Sequence, residues 1–332
     1  MRYIEPLFIL SPPRSFSSLI SSVIGQHPQI HAFPELQVFG HSSIHEMIVR
    51  NQENLNRLAS PGSIRSIAEI HEGRQTDESC ARAWLWLQRN SEMTPVELFE
   101  YLREKVNPLV AVEKTPVNTL KSSRLKEILS AYPNARYLHL TRSVIGNFKS
   151  LKEFLGEREK FAAGEDTEQL SSKYLSMEHP ASIWLTSHTN VLNIRPLIKS
   201  KNYLRIKGED LLSQPHNVLK AFCEWMGINS GSAEIEAMLR PHESPYACIG
   251  PRIAHGGNDG KFMRQPVLKI KKISSTGNSF HQIVEPRSVE LDREYMRRRY
   301  RELCEEDQKK IQGWAEHLFT EIERMQCRLG YQ

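Results

Sequence analysis

Leu7 to Glu35, LFILSPPRSFSSLISSVIGQHPQIHAFPE, is the stretch whose reading decides the fold. The apolar run Leu7-Phe8-Ile9-Leu10 stops at a Ser11-Pro12-Pro13-Arg14 turn. Ser15, Ser17 and Ser18 follow, and then Leu19, Ile20, Val23 and Ile24 recur at helical spacing. The pattern predicts a buried strand, a tight loop rich in hydroxyls and backbone N–H groups, and a helix whose N-terminus points back at the loop. Such a helix end carries unpaired N–H donors and about half a positive charge, so it suits a phosphate or a sulfate.

Working outward, Ile30–Phe33 predicts a short strand, Pro34-Glu35 a turn, and Leu36–Arg50 a helix. Residues 51–79 are polar and read as connections between short helices, and Trp84, Leu85 and Leu87 are expected in the core. Thr94-Pro95-Val96-Glu97 has the cap, the N1 proline and the acid three residues on that start a helix, here running to about Val106. Leu109–Glu113 predicts a second buried strand ending in Lys114-Thr115-Pro116; after a helix over Ser122–Tyr132, Ala135–Thr141 predicts a third, with Arg142 and Ser143 just past its end. Tyr203–Ile206 predicts a fourth strand and Pro215–Gly227 a helix closed by glycine. Strands alternating with helices predict an α/β fold, a parallel sheet flanked by helices with a P-loop-like first turn. In such sheets ligands gather at the carboxyl ends of the strands, and Ser11–Ser18, Lys114 and Arg142 all fall there.

The whole chain, 1–332, reads as one domain. Residues 152–180 are charged and weakly periodic, a lid or a plain surface excursion; Ser182–Leu197 is helical, 241–285 irregular, and 288–328 a long amphipathic helical segment. No apolar run is long enough to span a membrane and there is no signal-peptide layout at the N-terminus, so the expected location is the cytoplasm. The five cysteines are scattered without a CxxC pair, which fits reduced thiols and argues against zinc. The net charge of +5 suits an anionic ligand equally well as a message-free surface, and no nucleic-acid-binding signature is present.

The loop lacks GxxxxGK[ST], and no strand ends in an aspartate placed to hold magnesium, which weakens kinase and ATPase readings. Three features instead resemble the sulfotransferases that use 3′-phosphoadenosine 5′-phosphosulfate (PAPS). Ser11-Pro12-Pro13-Arg14-Ser15-Phe16-Ser17-Ser18 resembles that family's 5′-phosphosulfate loop. Arg142 and Ser150, eight apart in LHLTRSVIGNFKS, resemble its 3′-phosphate clamp, and YLRIKGEDLLSQPHNVLKAFCEWMGI resembles the segment that follows. The resemblance spans roughly residues 5–230, with the tyrosylprotein and polyketide-type bacterial branch nearest around Pro34-Glu35. One departure stands out: Phe16 occupies the position of a common glycine and is not expected at φ > 0, so the loop is either right-handed there or differently shaped.

Sulfuryl transfer to an alcohol needs in-line positioning, a base, and positive charge on the leaving group. The resemblance implies that Pro13, Arg14, Ser15, Phe16, Ser17 and Ser18 hold the 5′-phosphosulfate, that Arg142 and Ser150 hold the 3′-phosphate, and that Lys261 in the late loop His255–Phe262 touches a phosphate. Lys114 would neutralise the bridging oxygen and Glu35 would take the proton, with no metal and with PAP as product. A helix cap is the competing role for Glu35, and His31 and His255 are rival bases. Trp184, Asn190 and Asn193 are candidates to line the acceptor pocket, and Glu209 is expected to brace the sheet's end. The acceptor would be the hydroxyl of a small molecule, lipid, acyl chain or carbohydrate. A metal-dependent phosphotransferase and a non-catalytic nucleotide-binding protein are the alternatives, the latter favoured by Phe16 alone.

Overall fold

The computed structural model describes residues 4–55, 60–162, 180–270 and 320–331. The apolar runs form one five-stranded sheet: β1 Leu7–Leu10, β2 Ile30–Ala32, β3 Val110–Glu113, β4 Arg136–Thr141 and β5 Tyr203–Lys207, in the order β2-β3-β1-β4-β5. All four pairings are parallel. A parallel sheet is covered on both faces, which is why β1 and β3 read as continuous apolar runs. Alternate residues feed two cores. Phe8, Leu10, Ala111 and Tyr137 point to one, and Leu7, Ile9, Val110, Val112, Leu138, Leu140 and Ile206 to the other. Phe8 anchors the first, with ring centroids 5.2–6.0 Å from Tyr132, Phe99, Tyr137 and Phe39.

The helices are α1 Ser17–Gly25, α2 Ile44–Leu55, α3 Pro61–Glu72, α4 Asp77–Arg89, α5 Pro95–Val106, α6 Ser122–Ala131, α7 Val144–Ala162, α8 Pro180–Ile194, α9 Gly208–Ser213, α10 Pro215–Met226, α11 Ser232–Met238 and α12 Gly260–Arg264. The chain leaves β1 for β2 at one edge of the sheet and leaves β4 for β5 at the other, so the strand order reverses between β1 and β4. The loops that open there, Ser11–Phe16 and Arg142–Ser143, flank the crevice where such sheets bind ligands.

Local chemistry accounts for the helix starts. At α5 the Thr94 hydroxyl accepts from Glu97 N at 3.2 Å while Glu97 accepts from Thr94 N at 2.7 Å, the reciprocal cap that the sequence predicts. Four expectations need correction. The helix expected over 36–50 begins only at Ile44, because Gln37 (φ 55°) and Gly40 (φ 87°) break the chain before it. The polar stretch 51–79 contains the whole of α3, whose Gly62, Ser63, Arg65 and Ser66 are buried, so a small-residue helix was hidden behind polar letters. Leu85 is 49% exposed, whereas its neighbours Trp84 and Leu87 are buried. Most of the segment 288–328 lies outside the described residues, as does 163–179 of the expected lid; residues 320–329 are helical. No described helix is long and apolar enough to cross a membrane.

The largest correction is Phe16, which sits at φ 62°, ψ 9° in the left-handed region. For a residue with a Cβ this costs about 1–2 kcal/mol. Tertiary packing holds it there. The Phe16 ring lies against Gly208, where an added Cβ would come within 2.5 Å of Phe16 Cδ2, and the Arg142 guanidinium stacks 4.0 Å from its centroid. Glycine at 208 is thus required by phenylalanine at 16. Gly208→Ala should lower the unfolding free energy by about 1–3 kcal/mol, read from urea denaturation, and pairing it with Phe16→Ala should recover part of the loss.

Candidate active site

The loop after β1 is shaped by two left-handed residues, Arg14 (φ 65°) and Phe16 (φ 62°), separated by Ser15. Alternation of this kind turns successive backbone N–H groups toward one concave side, an anion-binding arrangement. The loop leads into α1, whose first turn has no side-chain cap at Phe16 and so keeps N–H donors for a ligand. Asn147 on α7 holds the loop from behind, donating to Pro13 O at 2.7 Å and to Ser15 Oγ at 3.1 Å.

Two arginines meet over this loop. Arg142 Nη1 donates to Arg14 O at 2.6 Å, and Arg14 Nε donates to Ser150 Oγ at 3.2 Å. Burial lowers the Arg142 guanidinium to about 10, against the pull of Glu209, and its Nε is buried without a hydrogen-bond partner among the described residues. A buried orphan donor on a cation is a place for an anion to bind. Glu209 accepts from Ser143 N at 2.9 Å and from Tyr331 Oη at 3.0 Å, bracing the ends of β4 and β5. Trp184 is buried and donates to Arg142 O at 2.9 Å.

Lys114, one residue past β3, is completely buried. Its Nζ donates to Glu35 Oε1 at 2.9 Å, to Ser18 Oγ at 3.0 Å and to Asn258 Oδ1 at 2.9 Å. Glu35 keeps 21% of its side chain exposed, so it faces both the lysine and solvent. Its backbone is pinned: Glu35 N donates to Gly257 O at 2.7 Å, Ser60 Oγ donates to Glu35 O at 3.1 Å, and a Cβ on Gly62 would lie 2.0 Å from Glu35 O. The left-handed Gln37 that follows donates its N–H to Thr115 Oγ1 at 3.2 Å. The turn carrying Glu35 is thereby tied to the residue next to Lys114.

The structure brings Arg14, Ser15, Ser18, Arg142, Ser150, Glu35 and Lys114 together at the sheet's carboxyl edge. Lys261 pairs with Glu153 on the exposed side of the late loop. His31 packs 4.7 Å from the Phe33 ring centroid, and burial lowers its imidazole to about 4. Asn190 donates to Thr119 O at 2.9 Å, and Asn193 is exposed. Sequence reasoning missed Asn147, Gly62, Asn258, Asp259 and Glu113. Asn258 and Asp259 stood in the glycine-rich late loop, but their targets lie more than 100 residues away (258 − 114 = 144; 259 − 14 = 245) and no local pattern specifies them.

Backbone donors, two arginines and a pair of a buried lysine with a partly exposed glutamate, all at the switch point of a parallel sheet, define a protein that handles an anionic group next to a carboxylate. Comparison with known proteins gives the class a family. A family model described as "Sulfotransferase family" matches residues 6–232, and the chain belongs to that family. Its fold is similar to the structure titled "Sulfotransferase Domain from the Curacin Biosynthetic Pathway" (TM-score 0.57, 21% identity, 73% of this chain and 79% of that one). It is also similar to the "Sulfotransferase Domain from the Synechococcus PCC 7002 Olefin Synthase" (TM-score 0.59, 21% identity, 89% of this chain and 97% of that one). No curated protein matches the chain. The protein is a sulfotransferase, an enzyme of sulfuryl transfer, and the phosphotransferase and non-catalytic alternatives give way.

Glu113, at the end of β3, is a carboxylate inside this cationic region. It is buried, its Oε1 has no partner among the described residues, and burial pushes it from 4.5 up to about 7 against the hydrogen bonds from Thr115 and the charge of Lys114. The folded state therefore holds this proton over a range where the unfolded chain releases it. Stability from this group is full below pH 4.5 and is lost as pH rises through about 7. The loss amounts to about 3 kcal/mol. Urea melts across this range should show that decline in the wild type and a flatter profile in Glu113→Gln; equal slopes would remove Glu113 as the titrating group.

Proposed function

We propose that the protein transfers the sulfuryl group of PAPS to an alcohol by in-line displacement, with Glu35 as general base. The observation that carries this reading is the Glu35–Lys114 contact of 2.9 Å beside Ser18 in the first turn of α1. The 5′-phosphosulfate fits the loop Pro13–Ser18, with Arg14, the hydroxyls of Ser15, Ser17 and Ser18, and the helix N–H groups around it. The 3′-phosphate fits Arg142, whose Nε has no partner among the described residues, and Ser150. Phe16 contributes the platform on which Arg142 stacks. Lys261 would reach a phosphate only by leaving Glu153.

In the step itself the acceptor oxygen forms a bond to sulfur as the bond from sulfur to the bridging oxygen breaks. The acceptor proton passes to a Glu35 carboxylate oxygen, and the electron pair of the broken bond stays on the 5′-phosphate of PAP. Lys114 donates a hydrogen bond to that oxygen as its charge grows. Its complete burial makes the interaction stronger than it would be in water. The acceptor belongs to the hydroxyl-bearing small molecules, lipids, acyl chains or carbohydrates. We read the chain as one sulfotransferase domain; the free thiols of Cys80, Cys223, Cys248 and Cys327 suit a cytoplasmic enzyme.

Incubation with PAPS and a panel of such alcohols, followed by mass spectrometry, should give one class of sulfate ester together with PAP. On that acceptor Glu35→Gln should lower kcat by roughly 10²–10⁴-fold with little change in PAP affinity. Full turnover by Glu35→Gln would take the base role away from this residue. Lys114→Ala should lower kcat by roughly 10²–10³-fold, and an unchanged kcat would separate Lys114 from the leaving group.

A further inference from the structure

Lys114 has three ammonium hydrogens, and three side chains accept them: Ser18, Glu35 and Asn258. An ammonium group offers no fourth donor. An oxygen of the donor can therefore reach Lys114 only by replacing one of these acceptors. Ser18 is fixed in the first turn of α1, and the backbone that carries Glu35 is held by Gly257, Ser60 and the close approach of Gly62. Asn258 is the remaining one, and its other side-chain bond, from Nδ2 to Tyr246 O, is long at 3.2 Å. It follows Gly256 (φ 115°) and Gly257 (φ 88°), whose carbonyls are anchored by Arg65 Nη1 at 2.5 Å and by Glu35 N at 2.7 Å.

The next residue repeats the pattern at the other cation. Asp259 places Oδ2 on Arg14 Nη1, while its N–H donates to Ser18 Oγ at 2.9 Å. Its other oxygen, Oδ1, accepts from Lys261 N at 2.8 Å and Phe262 N at 3.2 Å and caps α12. Two successive residues thus set an amide oxygen on Lys114 and a carboxylate oxygen on Arg14, the two cations assigned above to the phosphosulfate. The capping contact uses Oδ1 alone, so Oδ2 can leave Arg14 while α12 stays capped.

We propose that Asn258 and Asp259 are an internal occupant of the anion cradle. The donor's phosphosulfate displaces them on entry, and their return helps to expel the 5′-phosphate of PAP. The proposal rests on the donor reading given above. An occupant of this kind lowers the fraction of protein competent to bind and raises the observed Kd by the same factor. Asp259→Asn keeps the helix cap, since asparagine caps as well as aspartate, but weakens the hold on Arg14. Asn258→Ala frees one hydrogen of Lys114 and changes no charge, so it separates displacement from simple repulsion between Asp259 and an incoming anion.

The test is calorimetric titration of PAP, and separately of inorganic pyrophosphate, into the wild type, Asp259→Asn and Asn258→Ala, with stopped-flow measurement of PAP release. Asp259→Asn should bind PAP roughly tenfold more tightly and release it correspondingly more slowly, and Asn258→Ala should bind it a few-fold more tightly. Unchanged or weaker PAP binding by either variant overturns the proposal while leaving the donor reading intact. If none of the three binds PAP, the donor reading fails and pyrophosphate decides. Tighter pyrophosphate binding by both variants then upholds the internal occupant, and anything else removes it.

Discussion

A fully buried ammonium group has to be paired, because stripping water from an ion costs several kcal/mol even after the protein relaxes. Lys114 meets that requirement with three acceptors drawn from three distant parts of the chain: Ser18 in α1, Glu35 after β2 and Asn258 in the late loop. The pairing is therefore a structural constraint before it is a catalytic one. It fixes Glu35 against the end of β3, brings the late loop down over the β1 loop, and aligns the hydroxyl of the first helical turn with both. A lysine in such a position cannot be exchanged for a neutral residue without leaving Glu35 to find another partner.

The sheet supplies the frame. Strand order reverses between β1 and β4, so the loop Ser11–Phe16 and the residues Arg142–Ser143 open side by side. Phe16 joins them. It accepts a left-handed backbone, its ring packs on Gly208 after β5, and Arg142 stacks on that ring. Sequence-based reasoning treats a bulky residue there as a threat to the loop. In the folded protein it orients an arginine, and its backbone strain is offset by contacts that come from β4 and β5.

What the sequence made legible follows the range of each interaction. The β1 strand, its loop and α1 were readable because apolar runs, hydroxyls and helical spacing sit within twenty residues of one another. The Thr94 cap was readable for the same reason. Arg14, Glu35, Lys114 and Arg142 could be placed at one edge because every strand of a parallel sheet ends there. The helix α3 was passed over although Ile64, Ile67 and Ala68 fall on one buried face, because the glycine and serines between them, Gly62 and Ser63 packing under the carbonyls of Glu35 and Leu36, give the stretch a polar look. Asn258 and Asp259 were equally hidden. Polar residues in a glycine-rich loop look solvated until the fold brings buried cations to them.

On the proposed reading, this edge of the sheet holds a 3′,5′-phosphorylated adenosine without help from a metal. The most direct measurement is calorimetric titration of PAP into the full chain in the presence of EDTA, with an otherwise identical titration of adenosine 5′-phosphate. The account predicts saturable binding of PAP at one site per chain, and clearly weaker binding of the nucleotide that lacks the 3′-phosphate. No binding of PAP, binding that appears only on adding magnesium, or equal affinity for the two nucleotides would contradict it.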